Sequence, residues 1–196
     1  MREFGKEEFD NPANVAKLLK DFIQYLEKTG LEAGAEIGAF ILYYHGHGQT
    51  KENRDCILTP EGKLISFDHM IQYIMKERPP KRIYLVNDSC RDEALRNQEF
   101  DPNMDKELGS YRPENKSKTY ENRIIRLNAT SSGKKAKGNQ NKTFTHSLIQ
   151  VLKENPNGIQ LSELEEAVNE HWMEVSGESR CKVEGALNAA ANIFPY

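Results

Sequence analysis

The chain has 196 residues, 37% of them hydrophobic and 29% charged, and a formal net charge of −3. That length suits one domain with a sizeable core, and the slight acidity gives no general drive toward nucleic acid or anionic membranes. The apolar runs reach strand length only, far short of the roughly 20 residues that cross a bilayer. With no apolar leader and only three cysteines, an odd and sparse set, a disulfide framework is not expected and a reducing, cytoplasmic setting is.

Asn11-Pro12 is a helix start, an Asn cap followed by Pro at the first helical position. Val15, Leu18, Leu19, Phe22, Ile23 and Leu26 then recur at helical spacing, and Gly30 ends the element. Ala39-Phe40-Ile41-Leu42 reads as a buried parallel strand over about 38–44. Asp55 to Ser66 reads as a hairpin, Cys56-Ile57-Leu58 and Lys63-Leu64-Ile65 around Thr59-Pro60-Glu61-Gly62. Ser66 caps the next helix, whose apolar positions include Met70, Ile71, Ile74 and Met75, and Pro79-Pro80 stops it. Ile83-Tyr84-Leu85-Val86 is a second buried strand. The strand–helix–strand order makes the two strands parallel neighbours through a right-handed crossover. About 92–122 is polar and reads as a long, mobile loop. Ile124 to Ala129 is a further strand, and Gly133 to Lys142 a second mobile, lysine-rich stretch. Two helices follow, 144–154 and 162–175. The second opens with Ser162-Glu163-Leu164-Glu165, a capping box, and turns Leu164, Val168, Trp172 and Val175 to the core.

Two stretches carry chemistry. Tyr43-Tyr44-His45-Gly46-His47-Gly48 follows the first strand, and Asn87-Asp88-Ser89-Cys90-Arg91 follows the second. In an open α/β sheet, ligands gather beyond the carboxyl ends of the strands. A histidine with glycine and a cysteine thus emerge at one edge of one sheet, as a thiol protease requires. Cys90 needs activation, because a free thiol has a pKa near 8.5. His47 can help generate the thiolate and later protonate the leaving amine.

The pattern resembles the caspase-like cysteine peptidases, and metacaspases more closely than animal caspases. Forty-three residues separate His47 from Cys90, near the roughly 50 of caspases. Asp88-Ser89-Cys90 matches the metacaspase form, Gly46-His47-Gly48 its Gly-His-Gly, and Cys90-Arg91 is shared with the caspase signature. Asn128 to Gly133 and Phe144 to Leu148 resemble the strand, loop and helix after the nucleophile in bacterial relatives. The resemblance implies a three-layer α/β fold, a mostly parallel central sheet flanked by helices, as a single domain over 1–196. It implies a cysteine endopeptidase acting on peptide or protein substrates through a His47–Cys90 dyad. Gly48 and Cys90 N–H groups would form the oxyanion hole. Asp88 would stand at the base of the first specificity pocket, with His45 at its border. An acid at Asp88 favours cleavage after Arg or Lys. Arg112, Lys116, Lys118, Arg123, Lys134, Lys135 and Lys137 could serve as sites for self-cleavage or simply be solvated loop residues. The family's first strand and helix have no counterpart in residues 1–10: either another chain or an N-terminal segment completes the sheet, or the domain is a reduced variant.

Other readings stay open. His45 could serve as the base with Gly46, a register shifted by two. His-x-His is also a metal spacing, although no Cys-x-x-Cys accompanies it, and no metal site is assigned. Some metacaspases need calcium. Asp101-Pro102-Asn103-Met104-Asp105 with Glu107 resembles a calcium loop but has Lys106 and Arg112 where glycine and an acid belong. The sequence requires no cofactor. Asp88 could simply hydrogen-bond its turn, and Cys90 could be an inert buried thiol. The alternative function is a catalytically silent caspase-like domain that binds partners. A third is another hydrolase or transferase using the same thiol.

Overall fold

The computed structural model describes residues 13–28, 37–94, 97–112, 121–131, 133–135, 143–176, 180–185 and 192–193. The N-terminal cap at Asn11-Pro12, the Gly30 stop, residues 1–10 and most of the 133–142 stretch lie outside them.

A four-stranded sheet forms the centre. It comprises β1 (Ala39–Gly46), β5 (Arg82–Ser89), β7 (Ile124–Asn128) and β9 (Lys182–Gly185), in the order β1-β5-β7-β9. The first three strands are parallel and β9 runs antiparallel. Seven of the eight β5 residues are buried, the near-continuous apolar pattern of a parallel strand covered on both faces. Alternation along the strands divides the core. Ile83, Leu85 and Ile124 join one cluster with α1 (Ala13–Lys28), α2 (Phe67–Glu77) and α3 (Pro102–Leu108). Tyr84, Val86, Ile125 and Leu127 join the other with α4 (Phe144–Glu154) and α5 (Leu161–Ser176). The result is the expected three-layer α/β arrangement.

A second sheet lies beyond the carboxyl ends of β1 and β5, with β2 (Gly48–Lys51), β3 (Arg54–Leu58), β4 (Leu64–Ser66) and β6 (Asp92–Glu93) in the order β4-β3-β2-β6. The β3–β4 hairpin matches the sequence reading, pairing Cys56 with Ser66 and Ile57 with Ile65. Gly62 at φ 77° makes its turn. Ser66 caps α2 as expected, its Oγ accepting from the His69 N–H at 3.4 Å.

The structure corrects three readings. Strand β1 is buried on one face only. Phe40 packs in the core, while Ile41 and Tyr43 are 57% and 52% exposed. Among the described residues β1 is the outer edge of its sheet, the place where the resemblance implies a further strand. Beside it an apolar groove of about 720 Å³ runs between α1, β1 and the β3–β4 turn, with Tyr43 and His45 among its lining residues. The polar stretch 92–122 is not all loop. Asp101 caps α3 by accepting from the Asn103 N–H at 2.9 Å, Pro102 follows, and Met104 and Leu108 are buried. The supposed calcium loop is therefore a short capped helix, whose Glu107 pairs with Lys20 at 3.3 Å. Glu165, the last residue of the expected capping box, reaches beyond its own helix. It receives the Val183 N–H at 2.9 Å and both its oxygens lie 3.1 Å from Lys182 Nζ, tying α5 to β9. No helix among the described residues is long and apolar enough to cross a membrane.

Candidate active site

Two ladders flank a gap. The β1–β5 pairing runs to Gly46 opposite Ser89, and the β2–β6 pairing starts with Gln49 opposite Asp92. The offset is the same on both sides, so His47-Gly48 and Cys90-Arg91 cross one gap in step. Contact confirms this. A Cβ built on Gly48 would overlap the Ser89 hydroxyl and stand 2.7 Å from the Cys90 carbonyl oxygen. The sequence-selected residues His47, Gly48 and Cys90 therefore meet at one end of the sheet.

The His47 backbone is held from two directions. Its carbonyl accepts the Tyr44 hydroxyl at 2.8 Å and the Leu58 N–H at 2.9 Å. Burial pushes the Tyr44 phenol up to about 12, so this hydroxyl stays a donor at every working pH. A Cβ on Gly46 would come within 2.5 Å of the same hydroxyl, which makes glycine the residue that lets Tyr44 reach back. The His47 side chain is exposed, as the base of a substrate cleft must be.

Cys90 is half-buried and outside any disulfide, whereas Cys56 and Cys181 are fully buried. Burial pushes both of those thiols up to about 12, and neither forms appreciable thiolate near neutrality. We expect iodoacetamide at pH 7.5 to modify Cys90 at least about tenfold faster than either, read by peptide mass mapping. Equal rates at all three would remove Cys90 as a reactive thiol.

Beneath the gap a polar row supports the loop. Ser89 Oγ donates to Asn87 Oδ1 at 2.6 Å, and Asn87 Nδ2 donates to Asn128 Oδ1 at 3.4 Å. Asp88 lies beside it, buried, and its Oδ2 accepts the Thr145 N–H at 3.1 Å and the Thr145 hydroxyl at 2.7 Å, with His45 Nδ1 standing 3.3 Å from the same oxygen. Asp88 thus satisfies an orphan N–H at the start of α4, a bond across 57 residues rather than within its own turn. Tyr43 Oη is 3.4 Å from Thr145 Oγ1.

Arg91 is the residue whose importance the sequence concealed. Its buried guanidinium donates to Asp55 at 2.8 Å, to the Thr130 carbonyl at 3.2 Å and to Glu184 at 3.3 Å. Burial opposes its charge, but the hydrogen bond and charge of Asp55, aided by Glu184, more than offset this and raise its pKa. Its backbone is latched as well. The N–H donates to the Lys134 carbonyl at 2.9 Å, and the carbonyl accepts Gly133 N–H at 2.7 Å and Thr50 Oγ1 at 3.1 Å. Only the Cys-Arg pair and the polar Asp55 hinted at this.

Of the basic self-cleavage candidates, Arg112, Arg123, Lys134 and Lys135 lie among the described residues. Arg123 donates to the Pro80 carbonyl at 3.4 Å; Lys116, Lys118 and Lys137 lie outside. Among the described residues no three His, Cys, Asp or Glu side chains converge as metal ligands.

Comparison with known proteins agrees with this fold. No curated protein matches the chain. A crystal structure of protein GSU0716 from Geobacter sulfurreducens is similar in fold, with a TM-score of 0.52 at 13% identity, covering 89% of this chain and 74% of that one. The family model Peptidase_C14, Caspase domain, matches residues 8–190. The chain belongs to the caspase-domain family.

Proposed function

We propose that the chain is a cysteine endopeptidase that uses His47 and Cys90 as its dyad and cuts after Arg or Lys. The observation that carries this is the close approach of Gly48 to the Cys90 carbonyl, which puts a half-exposed thiol and an exposed imidazole in the same gap.

The thiol proton passes to His47, and Cys90 Sγ attacks the scissile carbonyl carbon. The carbonyl oxygen becomes an oxyanion held by the Gly48 and Cys90 N–H groups. Gly48 suits this role. Leu58 N–H bonds to the His47 carbonyl, and Gly48 stands opposite Ile57. Gly48 is thus a non-hydrogen-bonded pair whose own N–H points away from β3. As the tetrahedral intermediate collapses, the C–N bond breaks and His47 returns the proton to the leaving amine. Water then releases the acyl group from sulfur. Asp88, buried and anchored by α4, supplies the carboxylate for a basic residue before the cleaved bond.

Fluorogenic peptides ending in Arg, Lys or Asp, with and without calcium, test this. Turnover after Arg or Lys is expected to fall about 10³-fold or more in Cys90→Ala and in His47→Ala. Turnover after Asp would overturn the role of Asp88, and turnover that survives Cys90→Ala would overturn the dyad. No turnover on any peptide would favour a silent domain that binds partners.

A further inference from the structure

The contact that has no part in the chemistry above is His45 Nδ1 at 3.3 Å from Asp88 Oδ2. We propose that His45 is a specificity-determining residue, a protonation-controlled competitor for the Asp88 carboxylate that weakens capture of basic substrate residues as pH falls. This rests on the reading of Asp88 as the pocket acid.

The argument starts from how differently the two partners are held. Asp88 is 6% exposed and fixed, because Thr145 at the start of α4 gives its Oδ2 two hydrogen bonds. His45 is 56% exposed and so is free to pair or to withdraw. The register sets them together, since His45 is the partner of Asp88 in the β1–β5 ladder. A buried carboxylate with a neutral imidazole beside it keeps a net negative charge for a guanidinium or ammonium group. Once protonated, the imidazole supplies a cation of its own and the pocket is neutralised. Histidine is the side chain that ordinarily makes this change between about pH 5 and 8.

The groups around it fix what else could titrate. Asp88 faces His45 from β5, Tyr43 stands two residues back on β1, and Thr145 is the group of α4 that joins the cluster. His47 and His146 stand further along β1's exit and on α4, both on the exposed surface or half-exposed rim. Any effect from those histidines, or from protonation of Asp88 itself, would persist without His45. The direction is therefore specific. Below the histidine range the pocket loses affinity for a cation, above it affinity is full, and the difference vanishes when the imidazole is removed.

The probe is agmatine, a guanidinium amine, titrated into the whole chain by NMR at pH 8.0 and pH 5.5. The wild type is expected to bind it about fivefold more weakly at the lower pH, the size expected of an exposed ion pair. In His45→Gln, and in His45→Ser as a second variant, the two pH values are expected to give dissociation constants within about twofold. Equal binding by wild type at both pH values, no binding at either, or the same pH loss in both variants would overturn the proposal. Peptide turnover measured alongside separates this from the peptidase reading. Agmatine binding gated by His45 without turnover sinks the enzyme and keeps the gate. Turnover after Arg whose KM keeps the same pH dependence in His45→Gln keeps the enzyme and sinks the gate.

Discussion

Arg91→Ala is expected to lower the melting temperature by about 10 °C. The reason is what it strands. Asp55 is 9% exposed at its side chain, and among the described residues the guanidinium of Arg91, at 2.8 Å, is its one cationic partner. Removing one member of a buried ion pair costs about 3–5 kcal/mol, because an uncompensated charge stays behind. In a chain of this size about 1 kcal/mol moves the melting point by about 2–4 °C. The substitution also takes the donor from the Thr130 carbonyl and from Glu184, so three separate segments lose a shared anchor next to Cys90. Arg91→Lys keeps the charge but offers a single ammonium where the guanidinium spans three acceptors, and should fall between wild type and Arg91→Ala. In the double variant Arg91→Ala/Asp55→Ala the stranded carboxylate is gone, and part of the loss should return. Because the pKa of Arg91 is raised by its carboxylate partners, the stability it contributes is in place across the neutral range and is lost on the alkaline side only as pH rises through the arginine range. The network therefore works as a fixed clamp over every pH at which the protein would be assayed. A thermal melt of the four proteins checks this, and a shift under about 2 °C for Arg91→Ala would mean the cluster behaves as a surface pair.

The parts of the molecule visible in the sequence are those whose signal is local. Strand β5 is covered on both faces and reads as an unbroken apolar run. Helix α2 carries its own cap and apolar spacing, and both were found where the sequence put them. The two chemical motifs were visible because each directly follows such a run. Strand β2 was not, since Gly48-Gln49-Thr50-Lys51 has no apolar alternation and is a strand only through its partners. Its turn is made by Glu52 and Asn53 at φ 53° and 57°, without the glycine that usually marks such a bend. Helix α3 did announce itself. Asp101-Pro102 is the same cap-and-proline signal as Asn11-Pro12, but the acids that follow drew attention to ligand spacing instead. The exposure of Ile41 and Tyr43 reflects the place of β1 in the sheet, which an apolar run does not encode. Thr145 and Arg91 act on partners 57, 36 and 93 residues away. Such contacts are set by topology, and only the assembled fold reveals them.

Gly48→Ala is expected to lower kcat/KM by about 10²-fold or more while leaving the chain folded. The added methyl carbon would meet three atoms, the Ser89 hydroxyl, Ser89 Cβ at 2.8 Å and the Cys90 carbonyl oxygen at 2.7 Å. The hydroxyl could rotate away at the loss of its bond to Asn87. The carbonyl cannot, because it belongs to the backbone of Cys90 itself, with Arg91 clamped immediately after it. Relief must come from separating the two loops, which moves His47 away from Cys90. A displacement near 1 Å at reacting groups costs on the order of 10²-fold in rate, and crowding a packed position costs about 1–3 kcal/mol of stability. The informative control is Gly62→Ala in the β3–β4 turn. There φ is 77° and nothing lies within 4 Å of the added carbon, so the penalty is backbone strain alone, about 1 kcal/mol, with kcat/KM unchanged. Ser89→Gly placed on Gly48→Ala removes the side-chain part of the clash and leaves the carbonyl part, so recovery should be partial. Full activity in Gly48→Ala would mean that the two loops need not touch for catalysis, and the close approach would lose its place as the foundation of the dyad.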